Sequence, residues 1–206
     1  MDHSHIIDTP ARLEALFGPV GEASLRKQVA YLHPVYRSMI AASPFAVLST
    51  VGPNGLDASP RGDAPGFVKV RDEKTLLLPE RRGNNRIDSL RNILADPRVG
   101  LLFLIPGVGE TLRVNGTARI SVDPALLQEF SVQGAPPKCV LEITIEEAFF
   151  QCARAVLRSN LWHPLPPEIL ETVPSAGTVL AALTANDIDG QQYDRALPER
   201  QRSTLY

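Results

Sequence analysis

The sequence predicts a mainly β protein, a small antiparallel barrel with flanking helices, on three observations. Six or so short strand-like runs follow one another closely. Turn signals such as Gly52-Pro53-Asn54-Gly55 separate the first of them at hairpin spacing. The first four runs also leave no room for the crossover helices, a dozen residues or more, that parallel pairing needs. An antiparallel barrel satisfies all three.

Along the chain, TPARLEALFG reads as a short helix, with a cap signal at Asp8 and Thr9, apolar Leu13, Leu16 and Phe17, and Gly18 as a stop. SLRKQVAYLHPVYRSMIAAS continues as two helical pieces, the first carrying Leu25, Val29 and Leu32 and the second starting at Pro34, which suits a first turn better than an interior. From Pro44 the period changes. FAVLSTV and LDASPRGD form a hairpin, and GFVKV and KTLLLP a second strand pair. RIDSLRNILADP places Ile87, Leu90 and Leu94 on one helical face, with Pro97 as terminator. RVGLLFLI is a strand buried on both sides, and ETLRVNGTARIS is a strand with a bulge signal at Asn115-Gly116. DPALLQEF is a capped helix and CVLEITIEEAFF a strand, whose end overlaps a helical reading of EEAFFQCARAVLRS. The tail contains one expected helix, SAGTVLAALTAN.

The 206 residues are 44% apolar and 21% charged, with a formal charge of −2. That fits one folded domain, divided as an N-terminal helical extension (1–43), a barrel core (44–163) and a C-terminal extension (164–206). A balance of 21 basic against 23 acidic side chains argues against a nucleic-acid partner. No apolar run reaches the length of a membrane span, and the start lacks a signal-peptide pattern, so no membrane partner and a cytoplasmic location are expected. Cys139 and Cys152 stand apart from each other and from other ligand-type residues; both read as reduced packing residues, and no metal site is expected.

The chemistry concentrates in PERRGNNRIDSLRNI, where Arg81, Arg82, Gly83, Asn84, Asn85 and Arg86 lead from a strand into a helix. Unpaired N–H groups and the dipole at a helix start favour a phosphate, and guanidinium groups add bidentate contacts. Gly83 permits close backbone approach, and Asn84 or Asn85 can cap the helix. The residues alone fit either a phosphate cradle or a solvated basic loop. No Walker loop and no G-x-G-x-x-G is present. SPRGDAPGF, with Arg61, is a second candidate: a barrel brings Arg61 beside the same anion, or it lies in a polar turn. No side chain stands out as a nucleophile or general base, and catalytic residues stay unassigned.

In this order, SPRGDAPGFV, TLLLPERRGNNRIDSLRNILADPRVGLLFLIPG, ETLRVNGTARIS and ARAVLRSNLW resemble the flavoproteins related to pyridoxamine 5′-phosphate oxidase, within an FMN-binding subgroup of that split-barrel superfamily. The resemblance runs from about Phe45 to Trp162. It implies a six-stranded antiparallel split β-barrel, a homodimer, FMN in a cleft between the subunits, and oxidoreductase chemistry on a small-molecule substrate that the sequence does not name. Carried over position by position, it implies FMN contacts from Ser59, Pro60, Arg61 and Gly62, from Leu78 and Pro79, and from Arg82, Gly83, Asn84, Asn85 and Arg86. Thr111 falls where the oxidase has a glutamine reaching the flavin, and Trp162 where it has a tryptophan packing by FMN, with Arg158 one turn earlier. The oxidase's C-terminal R-x-H substrate segment has no counterpart, which argues against pyridoxamine phosphate as substrate. The same fold also serves non-enzymatic flavin carriers or redox sensors, and haem- or deazaflavin-binding relatives.

Overall fold

The computed structural model describes residues 5–206; residues 1–4 of the predicted N-terminal extension lie outside the described residues. Helix α1 (Pro10–Phe17) starts as expected, with the Thr9 hydroxyl accepting from Arg12 N. Neither α1 nor α2 (Glu22–Arg26) has a buried side chain. The helix expected to run through Val29 and Leu32 stops at Arg26. Val29 instead exchanges two backbone hydrogen bonds with Ala148, at 3.0 and 2.7 Å, in an isolated antiparallel bridge that satisfies its backbone groups in place of a helical turn. Pro34 does open a helix, α3 (Pro34–Ala42), which buries Tyr36 and Ile40 against the sheet.

The hairpin of β1 (Phe45–Gly52) and β2 (Gly55–Gly62) turns at Pro53-Asn54. The next expected pair is reduced on one side: β3 is only Lys69–Val70, paired to β4 (Thr75–Glu80). Helix α4 (Asp88–Ala95) follows the arginine loop. Strands β5 (Arg98–Leu104) and β6 (Thr111–Ser121), helix α5 (Pro124–Glu129) and β7 (Cys139–Gln151) complete the body. The ladder order is β2-β1-β5-β6-β7-β4-β3, every pair antiparallel.

The antiparallel, mainly β class holds, but among the described residues the sheet has seven strands where the resemblance implies six, and it is not closed. Among the described residues no ladder joins edge strand β2 to β3 or β4. The curl brings those edges near enough for side chains alone, with Arg61 Nε of β2 donating to Glu80 Oε1 of β4 at 2.8 Å. Pro60 sits in β2, where a missing N–H costs least because the outer side of an edge strand pairs with nothing. The bulge read at Asn115/Gly116 is present, and a Cβ on Gly116 would lie 2.0 Å from Thr144 O.

The main core fills the concave side with Leu48, Leu76, Leu78, Leu101, Phe103, Leu112 and Ile143 under Leu32 and Ile40. A smaller cluster, Leu77, Leu126, Phe130 and Val140, seats α5 on the other face of β4 and β7.

Two expectations at the C-terminal side are corrected. EEAFFQ is strand, not helix: β7 runs to Gln151, paired with β6 to Thr111, and only α6 (Arg154–Ser159) is helical. The tail holds three helices instead of one, α7 (Pro167–Leu170), α8 (Ala176–Leu183) and α9 (Gly190–Ser203). Helices α8 and α9 pack closely, since a Cβ on Gly177 would meet Gly190 O at 2.0 Å, and Asp194 Oδ1 accepts from Gly177 N at 2.7 Å. Among the described residues no helix is long and apolar enough to cross a membrane, and no cluster of three metal-ligating side chains occurs.

Candidate cofactor site

The arginine loop leaves β4 at Glu80, passes along the edge strand β2 and enters α4. Between them lies a cavity of about 660 Å³, within the range of pockets that hold a cofactor-sized ligand. Its walls are the alternate residues Asp57, Ser59 and Arg61 of β2, the end of β4, the loop itself, the first turn of α4, and Lys138, which precedes β7.

Helix α4 is held to the hairpin by polar contacts as well as by Ile93. Ser89 Oγ, 3% exposed, donates to Asp57 Oδ2 at 2.6 Å, and Ser59 Oγ donates to the same oxygen at 3.0 Å. Asn92 Nδ2 donates to Thr50 Oγ1 at 3.0 Å, packed so closely on Gly52 that a Cβ there would lie 2.0 Å from Asn92 Oδ1. These contacts fix the direction of the helix start.

The helix begins at Asp88, a little later than the sequence suggests, and without a side-chain cap. The expected asparagine cap is displaced: Asn84 Oδ1 accepts from Arg86 N at 3.0 Å, before the helix. Asn85 and Ile87 both take left-handed backbone conformations, φ 58° and 54°. For Ile87 that is strained, since a β-branched side chain collides with its own backbone there. Asn85 and Ile87 lead the loop into α4, whose first-turn N–H groups, like those of any helix, have no intrahelical partner and belong to residues that line the cavity.

Four arginines and a lysine line this space, but their charges are not equally available. Arg61 pairs with Glu80, both side chains largely buried. Arg81 donates from Nε to Asp63 Oδ2 at 3.0 Å and from a terminal nitrogen to Phe130 O at 2.7 Å. Arg86 pairs with Asp88 at 2.8 Å, and Asp88 also faces Arg91 at 3.6 Å. Among the described residues Arg82 and the ammonium of Lys138 have no hydrogen-bonding or ionic partner. They also line a smaller adjoining cavity of about 210 Å³, with Arg81, Pro136, Pro137 and Tyr206.

Asp63 sits behind Arg81. Burial pushes its carboxyl up, but hydrogen bonds from Tyr206, Ala64 N and Arg81, with the Arg81 charge, outweigh it and hold it below its ordinary value. Cys139 lies beside Glu80 and is pushed up to about 11, by burial first and by the Glu80 charge second, so it stays a thiol; both cysteines are free.

Of the sequence-predicted residues, Ser59, Pro60, Arg61, Gly62, Pro79, Arg82, Gly83, Asn84, Asn85 and Arg86 all line the larger cavity. Leu78 does not; its side chain is fully buried in the core. Thr111, Arg158 and Trp162 are not brought to this cavity within one chain. Thr111 Oγ1 donates to Gln151 at 3.3 Å, Trp162 Nε1 donates to Val108 O at 2.7 Å, and Arg158 is exposed on α6. Sequence reasoning missed Lys138, whose relevance comes only from register: Lys138 N donates to Glu80 O, next to the β4–β7 pair Glu80 and Cys139. It also missed Asp57, Ser89 and the Asp63–Tyr206 contact, which join distant segments without any local pattern.

The family model described as pyridoxamine 5′-phosphate oxidase matches residues 32–152, from the start of the core to the end of β7. The chain belongs to that family, whose members are related split-barrel flavoproteins. No curated protein matches it. Among solved structures it is similar to HupZ of Group A Streptococcus (22% identity, TM-score 0.49, covering 59% of this chain and 94% of that one). It is also similar to a putative pyridoxamine 5′-phosphate oxidase of Lactobacillus delbrueckii (21%, TM-score 0.46, 59% and 95%) and to an FAD binding protein of Mycobacterium smegmatis (16%, TM-score 0.41, 60% and 97%).

Proposed function

We propose that this protein binds FMN in the cavity between β2, the arginine loop and α4, as a homodimer, and acts as an FMN-dependent oxidoreductase on a small molecule. The observation that carries the reading is the pairing pattern of the cavity's cations. Among the described residues Arg82 and Lys138 have no counter-ion, at a wall that also presents first-turn N–H groups, the arrangement that suits a phosphate dianion. The residues present therefore fit the phosphate end of a flavin nucleotide. Arg61, held at a defined angle by Glu80, and Ser59 face the same space and can orient the remainder of the ligand.

FMN, once held, supplies the hydride or electron transfer, and the protein supplies placement, hydrogen bonds and field. Asp57, Glu80 and Asp88 are each oriented by hydroxyl or guanidinium partners, and none of them is assigned a general-base role. Thr111, Arg158 and Trp162 reach the flavin from a second copy in this reading. Exposed apolar residues flanking them, Leu157 at 72% and Leu161 at 48%, support burial of that region against another subunit.

The test is the spectrum and mass of any chromophore released from the purified protein, followed by NAD(P)H consumption with an acceptor. Released FMN and acceptor-dependent turnover support the proposal. A haem or deazaflavin chromophore would replace it, and FMN without turnover would make the protein a carrier or sensor.

A further inference from the structure

We propose that Tyr206 is a positioning residue for the arginine loop, a latch by which the C-terminal segment sets the ligand-facing geometry of Arg82; this rests on the assignment of that loop to the ligand. Arg81 is the first residue after β4, and three contacts fix its guanidinium. It donates to Asp63 Oδ2 at 3.0 Å and to Phe130 O at 2.7 Å, and its central carbon lies 5.6 Å from the Tyr206 ring centroid. Tyr206 closes the arrangement, since its hydroxyl donates to Asp63 Oδ1 at 2.7 Å. Both carboxylate oxygens of Asp63 are thus used, and its side chain is only 6% exposed.

Asp63 directly follows β2, and its N–H donates to Pro44 O at 3.1 Å, so the network is grounded on the β1–β2 hairpin. Arg82 comes next after Arg81 and, among the described residues, has no side-chain partner of its own. Its direction is inherited from the residue before it. Tyr206 lies outside the larger cavity but lines the smaller one beside Arg82, which places it behind the cation and not against the ligand in the main site. Loss of the phenol hydroxyl removes one of the three hydrogen bonds that orient Asp63, leaving those from Arg81 Nε and from Ala64 N at 2.8 Å, and leaves the ring on Arg81. Loss of the ring removes both contacts.

The test compares the full chain with Tyr206→Phe and Tyr206→Ala by amide hydrogen exchange without ligand, thermal denaturation and FMN titration. Tyr206→Phe is expected to speed exchange at residues 81–87 by about three- to tenfold, the size of one hydrogen bond, with the Tm unchanged. Tyr206→Ala is expected to speed it further. In an Asp63→Asn background, Tyr206→Phe should add little, because the two residues act as one unit. The FMN dissociation constant should rise by a factor similar to that seen in exchange. Loop exchange in Tyr206→Ala equal to wild type would overturn the latch. So would a uniform rise over all strands with a lowered Tm, which indicates a purely structural residue. Should wild type bind no FMN, the functional reading fails, and the exchange readout still decides the latch.

Discussion

Arg81 and Arg82 are adjacent and chemically identical, yet the fold gives them opposite roles. Arg81 is spent inside the protein, on Asp63, Phe130 O and the Tyr206 ring, whereas among the described residues Arg82 and the Lys138 ammonium have no partner, and in the proposed reading they keep their charge for a ligand. Arg82→Ala and Lys138→Ala should therefore each weaken FMN by about tenfold or more, as expected for a charge-assisted phosphate contact, with little change in the urea midpoint. Arg81→Ala should instead lower the midpoint, because it leaves the buried Asp63 carboxylate without its cation. Fluorescence titration and urea denaturation of the three variants separate these outcomes. Ile87 offers a second contrast. Its left-handed conformation costs about 1–2 kcal/mol, so Ile87→Gly should recover part of that in stability at a position that is half exposed. A lower midpoint in that variant would mean that the Ile87 side chain contributes more than its backbone costs.

At the scale of elements, the site depends on strands that meet only after folding. Gly116 lets β6 pass close to Thr144 O at the bulge, where Glu146 of β7 is the extra residue, and Gly116→Ala should destabilise the protein by about 2–3 kcal/mol, since the clash is with backbone that has no soft way to yield. Thermal denaturation checks it; an unchanged Tm would show that β7 can shift there. That bulge, the β1–β2 hairpin, α4 and the loop were all legible in the sequence, because Asn-Gly pairs, apolar period and proline stops are local signals. The end of β7 was not. Glu146, Glu147 and Ala148 are good helix formers, but the pairing of Ala148 with Val114, and its bridge to Val29, override propensity. Helix α9 was missed for the opposite reason, as it buries no side chain and contains Pro198, so it carries no apolar stripe to read. Most cavity residues from β2 and the loop were found because the motifs that hold them are contiguous. Lys138, Asp57 and Tyr206 were not, because long-range register and tail docking have no sequence period.

For the molecule as a whole, several carboxylates are stabilised in the folded state. Asp96 is lowered to about 2 by its hydrogen bonds and charge contact with Arg98, and Glu142 is lowered by Arg119 and Arg71. Asp63 is lowered by Tyr206, Ala64 N and Arg81 against the opposing effect of burial. Groups whose folded pKa lies below the unfolded value stabilise fully above the ordinary 3.8 to 4.5, and that stabilisation is lost as pH falls through the folded values. The urea midpoint should thus be insensitive to these groups above about pH 5 and fall steadily below it. A midpoint that rose on acidification would contradict the assigned ion pairs.

The central claim, that the arginine loop and Lys138 hold the phosphate of FMN, is tested most directly by the ³¹P NMR resonance of the bound nucleotide across pH. Free phosphate monoesters titrate near pH 6. In wild type the resonance should be displaced from that of free FMN and stay that of the dianion well below that pH, and it should move back towards free behaviour in Arg82→Ala and Lys138→Ala. Bound flavin whose phosphorus titrates as it does in free solution, unaltered by either substitution, would put the phosphate in bulk solvent and contradict it.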